Sequence, residues 1–587
     1  MYTFIGVALN LILASAVLIL LSSLFLGVEK KSLTKQSKKS DQTLQGISQS
    51  ITLSLVLISL VGYNLPKFGV NPRKPFELLG LILVLIFLNS VRRIKSINLR
   101  MITPTLLVAL VSASWNIIPG LIVLSKNGVL LGMTSIFNND ISSYAGIATE
   151  VLESGFDNNN HYFDYNVNQF ASIYIYQTPN SLIQFFSSVT SLEPWKIMMP
   201  VMIFAVSYFS ISINRLIRII FPNLGSLKAN FVAFFLPIIP IFGYITTNYF
   251  LGQILASAII LQIISVNIDL WKTNVINFRM QIEITGLFIL SIYVYPHLLF
   301  PIFALALGLN LARIIVNRIN VQKIAIQLFP VLFLAILVSS PYLKACYELI
   351  KTLSQLSAGW PLPIFNPVSL FIYPSFLHYE ISKWINLVLW AIFIAICIYL
   401  LKKLSLPKES FEKKITILLA SITITLWIVV IFIRGRELSE YSSWKLFTYL
   451  LPILLCVLIP LILMNQKFGK NILYLLLGLS ISFPLSTWQP YFKNQLFTSS
   501  SFVNAVENDR LNELEHLNID LGYYFESMNA ALIIRGPQIY LPGPTYYNKS
   551  FNENACTLVW NTNRSHGPVV PLNESYGLAL GKNSNCK

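Results

Sequence analysis

Again and again this chain runs for the roughly 20 residues that a helix needs to cross a bilayer's hydrocarbon core, without meeting a charge. Uninterrupted apolar runs lie at 2–27, 51–65, 77–91, 101–124, 197–214, 383–401, 415–433, 446–465 and 471–488. In lipid every backbone N–H and C=O must be bonded inside the segment or bundle, so runs of this kind fold as helices. The first run is too long for a cleaved signal peptide and no basic segment precedes it, so it reads as a retained span. Composition closes the soluble alternatives: 11% of residues are charged and 55% hydrophobic, against about 25% charged in a soluble chain. The net charge of +17 then points to cytoplasmic loops rather than to nucleic acid.

Two further stretches need length arithmetic. Between Lys228 and Asp269 lie 40 uncharged residues, which at 1.5 Å each extend roughly 60 Å, or two crossings. The polar Thr246-Thr247-Asn248 marks the expected turn. The stretch 281–318 is broken by Tyr295-Pro296-His297 and Pro301 and is counted as two crossings. A span at 324–341 completes an expected total of fourteen.

Charge sets the orientation. With the N-terminus outside, the loops after odd-numbered spans hold 24 of the 42 Lys and Arg, the opposite loops 11 and the C-terminal tail 7. Positive-inside bias therefore favours both termini outside. A single crossing at 281–318 would move the lysines of 402–414 to the outer side. The loop 66–76, with Lys67, Arg73 and Lys74, runs against the bias.

The polar mass falls on the outer face. The loop 125–195 carries Asp140, Glu150, Glu153, Asp157, Asp164 and Glu193, and the loop 342–382 centres on Gly359-Trp360-Pro361. Loops of such length are seldom mere connections. The tail from 489 reads as a small α/β unit: a helix at 502–516, a strand at 517–521, a helix at 523–534, and strands at 538–541 and 558–560. The expected fold is an all-α polytopic membrane protein of about 14 transmembrane helices with a small extracytoplasmic α/β domain at the C-terminus. Three units follow: three N-terminal helices at 1–100, a transmembrane core at 101–488 with outer loop 125–195, and the domain at 489–587. Cys556 and Cys586 share the outer tail, where an oxidising compartment would let them pair. No cysteine spacing resembles a zinc site.

Several outer residues are suited to chemistry. Asp140, in Asn138-Asn139-Asp140, precedes a helical run in which Tyr144, Ala148 and Val151 share a face. An Asp there caps a helix, and a carboxylate at the membrane–water boundary can also act as a general base or hold a divalent metal. In 434–445, Arg434, Arg436 and Lys445 are cations on the disfavoured side; they suit a phosphate, or pairing with Glu437 and Glu440. His297, beside Pro296, is either a substrate contact or an interfacial aromatic. Trp360 and Trp444 suit interface anchoring.

This layout resembles the GT-C glycosyltransferases, polytopic enzymes that use polyprenyl-phosphate-linked sugars. The resemblance rests on the order of elements from 101 to 587: a span leading into a large acidic outer loop, further functional loops on that face, and an outer C-terminal domain. It implies that Asn139-Asp140 stands where the class carries its acidic motif, often a pair of acids, whereas here one acid follows two asparagines. It further implies that Asp140 is catalytic and that Arg434, Arg436 and Lys445 hold the donor phosphate. Asn139, Tyr144, His297 and Trp360 become candidates for the substrate cavity. No cofactor is assigned, although a divalent metal fits the class. The expected partners are membrane lipid and a polyprenyl-linked sugar, not nucleic acid, in the plasma (inner) membrane. The expected activity is transfer of a sugar to a cell-envelope glycan or lipid on the outer face. The alternatives are a transporter or flippase of a lipid-linked or amphipathic substrate, and an O-antigen-type polymerase or ligase. A transporter would carry ionisable groups near the midplane and repeated halves; mid-span charges look almost absent in the sequence, and no internal repeat is visible.

Overall fold

The computed structural model describes residues 2–22, 36–94, 99–133, 140–155, 177–273, 277–296, 299–317, 321–355, 383–403, 410–433, 440–464, 469–493 and 499–521, and in the tail 527, 530, 533–534, 537–540, 552, 555–562 and 568–580. The apolar runs fold as helices. In chain order these are α1 Tyr2–Leu21, α2 Gln36–Lys67, α3 Arg73–Ile94 and α4 Leu99–Lys126. Two helices follow in the expected outer loop, α5 Asp140–Ser154 and α6 Gln177–Thr190, and then a 3₁₀ turn at Pro194–Ile197. The bundle continues with α7 Met198–Ile220, α8 Ser226–Ile238, α9 Pro240–Thr247, α10 Leu251–Thr273, α11 Phe278–Val294, α12 Leu299–Asn317 and α13 Val321–Gln355. It ends with α14 Lys383–Lys403, α15 Phe411–Ile433, α16 Glu440–Met464 and α17 Gly469–Lys493.

Among the described residues six helices are long and apolar enough to cross a membrane, seven with the bent pair α8–α9. The structure does not confirm a count of fourteen. The polar break at 246–248 does separate α9 from α10, and Tyr295–Pro296 separates α11 from α12. A second break was not expected. Ile239 precedes Pro240 and is extended (φ −62°, ψ 148°), and the chain bends there by 57°. A residue before proline is pushed out of the helical region by the ring, so the helix must end.

The core is centred on α7 and α10, both buried along almost their whole length. α7 tolerates this because its serines are bonded internally: Ser207 and Ser212 donate to the carbonyls of Ile203 and Tyr208, and Ser210 donates across to Ala233 of α8 at 2.8 Å. One hydrophobic cluster runs from Ala14 of α1 through Ile51, Phe204 and Ile259 to Leu517 and Leu558 of the tail. The first three helices therefore share the core of the rest. By contrast α13 turns Phe329, Phe333 and Leu337 outward, as a helix facing lipid does.

The tail begins with α18 Ser500–Val506 and α19 Asp509–Asn512, broken at Asn508, whose side chain accepts from the N–H of Arg510 and starts the second helix. A sheet follows, of β1 His516–Asp520, β2 Gln538–Tyr540, β3 Cys556–Trp560, β4 Val569–Pro571 and β5 Tyr576–Ala579, in the order β2-β1-β3-β5-β4. β1 is parallel to β2 and β3, while β5 is antiparallel to β3 and β4. The β4–β5 pair was not expected from sequence; its strands are 3 and 4 residues long, too short for a readable alternation. Cys556 is disulfide-bonded, while Cys346, Cys397 and Cys456 are free and buried. Cys586 lies outside the described residues.

This domain sits on one end of the bundle. The backbone N–H of Ser500 donates to the carbonyl of Asn127, just past α4, at 2.7 Å. Lys196 in the 3₁₀ turn pairs with Glu507 at 3.0 Å. At the same end, the Asn71 side chain in the α2–α3 turn donates to the carbonyl of Leu152 in α5 at 2.6 Å.

Candidate functional site

α5, Asp140–Ser154, covers the helical run expected over 141–154. Its apolar side is what orders it: Ile141, Tyr144, Ala145, Ala148, Val151 and Leu152 are all buried, and the helix packs on α6 and on the 3₁₀ turn. Tyr144 therefore belongs to the packed side of α5. Glu150, on the same helix, is buried as well.

The side chains of Asp140 and Lys445 lie outside the described residues, although each residue falls within a helix, α5 and α16. Asn139, His297, Trp360, Arg434 and Arg436 also lie outside the described residues.

What the structure does place is α6. Twelve of its 14 residues are buried, in spite of a polar sequence. It lies across the α2–α3 hairpin: Thr178 bonds Ser59 of α2 at 2.8 Å, Ser181 abuts Gly62, and Phe185 meets Phe76 of α3 edge-on. Glycine at 62 is required by this approach, since a Cβ there would stand 2.3 Å from the Ser181 Oγ. On another side, Phe186 packs on Phe204 of α7.

The polar groups of α6 are unevenly served. Thr178, Ser187, Ser188 and Thr190 have partners. The Asn180 Oδ1, the Ser181 Oγ and both amide atoms of Gln184 have none, and all three residues are essentially inaccessible to solvent. Leaving a buried donor or acceptor unbonded costs about 1–3 kcal/mol per group.

A second polar cluster lies far down α7, and the sequence reading missed it. Arg215 is 17 residues on from Met198, or about 25 Å along the axis. Its guanidinium pairs with Glu283 of α11 and donates to Ser48 of α2 at 3.1 Å and Gln262 of α10 at 2.7 Å. Asp269 of α10 stands 3.5 Å away. Gln49 donates to the other Glu283 oxygen at 2.6 Å, Gln262 donates to Ser212 at 2.7 Å, and Thr52 meets Tyr208 at 2.9 Å. Arg215 and Glu283 are both fully buried. Glu283 and Gln262, standing within otherwise apolar stretches, were the available signal, because an intramembrane carboxylate needs a partner. Among the described residues no group of three or more His, Cys, Asp or Glu side chains could hold a metal ion.

No family model and no curated protein matches the sequence. The structure is similar to the crystal structure of the Archaeoglobus fulgidus oligosaccharyltransferase in its apo form, with 11% identity and a TM-score of 0.40 over 75% of this chain and 64% of that one. It is similar also to the complex of the same protein with Zn and sulfate, with 12% identity and a TM-score of 0.37 over 74% and 62%. The chain thus spans under two thirds of the length of the archaeal protein.

Proposed function

We propose that this protein is an integral membrane glycosyltransferase of the GT-C kind, moving a sugar from a polyprenyl-linked donor to a cell-envelope glycan or lipid acceptor at the outer face of the plasma membrane. The observation that carries the reading is the gathering of folded polar structure at one end of a membrane bundle. There α5, headed by Asp140, packs on the buried, under-bonded α6, and the C-terminal domain is bonded to the same end through Ser500 and Lys196.

In this reading the Asp140 carboxylate takes the proton of an acceptor hydroxyl as its oxygen attacks the anomeric carbon. The bond from that carbon to the phosphate oxygen breaks, and the polyprenyl phosphate leaves with its negative charge. Arg434, Arg436 and Lys445 would balance that charge, Arg by paired hydrogen bonds and Lys as a point charge. Asn139, Tyr144, His297 and Trp360 are assigned to the cavity wall.

Asp140→Asn tests it. Asn caps a helix about as well as Asp, so expression and thermal stability should hold. Incorporation of labelled sugar from a polyprenyl-linked donor should fall by about 10²–10⁴-fold, the usual contribution of a general base. Wild-type incorporation in the variant would reduce Asp140 to a cap.

The buried Arg215–Glu283 pair favours a second reading, a transporter or flippase, because ionisable groups inside spans mark substrate paths. That reading requires a reconstituted protein to move a fluorescent lipid-linked sugar between leaflets, with Glu283→Gln abolishing the movement.

A further inference from the structure

The tip joining α2 to α3 carries charge that the proposed reaction does not use. It lies at the end of the bundle that holds α5, because Asn71 donates to the carbonyl of Leu152 at 2.6 Å. The same side chain accepts from the backbone N–H of Arg73 at 2.9 Å and so starts α3. Arg73 and Lys74 are thereby fixed as the first two residues of α3, and both are exposed. Lys67, at the end of α2, is already engaged. Its ammonium donates to the carbonyl of Pro341 in α13 and stands 5.6 Å from the centre of the Tyr63 ring. Lys74 pairs with Glu77 at 3.2 Å, with side chains 87% and 38% exposed. Arg73 makes no ion pair among the described residues.

Beyond these cations α3 has two faces. Phe76 and Gly80 are buried against Phe185 and Val189 of α6. The other face carries Lys74, Leu78, Leu81, Ile82, Leu85 and Leu88, the spacing of one helical stripe. Its five apolar side chains are 43–58% exposed. From Lys74 to Leu88 the stripe runs about 21 Å, more than half of a hydrocarbon core roughly 30 Å thick. At its head Lys74, Pro75, Leu78, Leu79 and Ile82 line an open groove of about 380 Å³. In a membrane protein such a stripe is met by hydrocarbon chains, and the cations at its head select what the chains carry. Arg73 and Lys74 against the one carboxylate of Glu77 leave a net charge of +1. A phosphodiester with a neutral headgroup brings −1, and Arg pairs with phosphate through two hydrogen bonds. A choline headgroup would set a further cation beside these two. The charge count of the sequence puts this tip on the side where cations are disfavoured, so that bias does not account for Arg73 and Lys74.

We infer that the head of α3 binds one anionic glycerophospholipid. Arg73 and Lys74 hold its phosphate, and one of its chains lies in the groove along Leu78 and Ile82. The site needs only a membrane bundle and does not depend on glycosyl transfer. Because Asn71 ties the head of α3 to the last turn of α5, a lipid held here also anchors α5 at the membrane surface.

The experiment uses the full chain in detergent, titrated with phosphatidylglycerol and phosphatidylcholine of identical chains and read by native mass spectrometry. Wild type should retain one phosphatidylglycerol about 5-fold more tightly than phosphatidylcholine, the attraction of roughly one cation to an anionic lipid. The preference should shrink as salt rises. Arg73→Gln with Lys74→Gln should abolish the preference and weaken phosphatidylglycerol by about 5-fold for each cation removed. Both side chains are exposed, so the unfolding temperature without lipid should hold. Glu77→Gln removes the competing carboxylate and should tighten phosphatidylglycerol about 5-fold; it decides the matter if the double variant fails to insert. Ile82→Ala should weaken both lipids alike by about 3-fold, since a chain contact is blind to the headgroup. Equal retention of the two lipids by wild type overturns the inference. So does a preference that survives loss of both cations, or one that Glu77→Gln leaves unmoved. Retention of both lipids unchanged in Ile82→Ala takes the chain out of the groove and overturns it as well. Undecaprenyl phosphate is the third probe: if it replaces phosphatidylglycerol when the two are offered together in equal amount, the stripe belongs to a polyprenyl lipid and the phospholipid assignment falls.

Discussion

The two ends of this bundle treat buried polarity in opposite ways. Around Arg215, side chains from α2, α7, α10 and α11 meet, and both Glu283 oxygens are bonded. On α6, which meets α2 at Ser59 and Gly62, roughly 16–21 Å along the axis from Ser48, buried polar atoms of Asn180, Ser181 and Gln184 are left without partners. Burying polar groups is costly in both places. One end answers most of the cost inside the protein and ties four helices together, although the Arg215 Nε and Nη2 make no hydrogen bond and Nη2 only stands 3.5 Å from Asp269. The other leaves more of it unanswered, on a helix held chiefly by its apolar contacts with α2, α3 and α7.

The largest expected effect lies at the closed end. Arg215→Ala leaves Glu283 buried without its cation, and breaking such a pair by removing one partner costs about 3–5 kcal/mol. The variant should show a large fall in unfolding temperature in detergent and poor recovery from membranes. Replacing both partners, Arg215→Met with Glu283→Met, should recover much of the loss, since an apolar pair of similar volume avoids the desolvation penalty. A neutral Arg215→Ala would break the comparison, because the cluster would then not be holding the helices.

A middle-sized effect is expected at the contact that closes α6 onto α2. A Cβ at position 62 would fall 2.3 Å from the Ser181 Oγ and 2.5 Å from its Cβ. Gly62→Ala should therefore destabilise by about 1–3 kcal/mol, the usual range for overpacking. Adding Ser181→Gly should relieve it, measured by thermal unfolding of the single and double variants. If Gly62→Ala is tolerated alone, α6 is free to shift on α2, and the open end is looser than its packing implies.

How much of this was readable beforehand follows from what each signal depends on. Helix positions were legible because a span is a local property: length, hydropathy and absence of charge sit in one segment, and even the break at Tyr295–Pro296 could be read. The helix starting at Asp140 was legible for the same reason, as a polar start followed by apolar residues at helical spacing. The bend at Pro240 was missed because an apolar run conceals it, although Ile239 before a proline was the clue. Burial of α6 was not legible at all. Gln177, Asn180, Ser181 and Gln184 look like an exposed loop helix, and only packing on α2, α3, α5 and α7 buries them. The Arg215 cluster was missed because its partners come from positions 48 to 283, and proximity across four helices is not a property of any one segment.

The smallest expected effect is at the junction with the C-terminal domain, and it completes the contrast between the ends. Lys196 reaches Glu193 at 2.9 Å and Glu507 at 3.0 Å, with side chains 29%, 48% and 40% exposed. Its ammonium also stands 4.7 Å from the centre of the Trp195 ring. This is a charge pairing like that of Arg215, but water reaches it. Exposed pairs contribute about 0–1 kcal/mol, and salt screens them over roughly 8 Å at physiological ionic strength. Lys196→Ala should therefore lower the unfolding temperature slightly, by an amount that shrinks toward zero as salt rises to about 1 M, where the screening length is near 3 Å. Arg215→Ala should show no such salt dependence, because its partner is buried. The local measurement is proteolysis at the junction: with Lys196 gone, the domain keeps the bond from Ser500 to Asn127 and should be cut somewhat faster at low salt. A loss as large and as salt-independent as that of Arg215→Ala would mean that the outer junction is sealed from water, and the two ends would then differ in their amides alone.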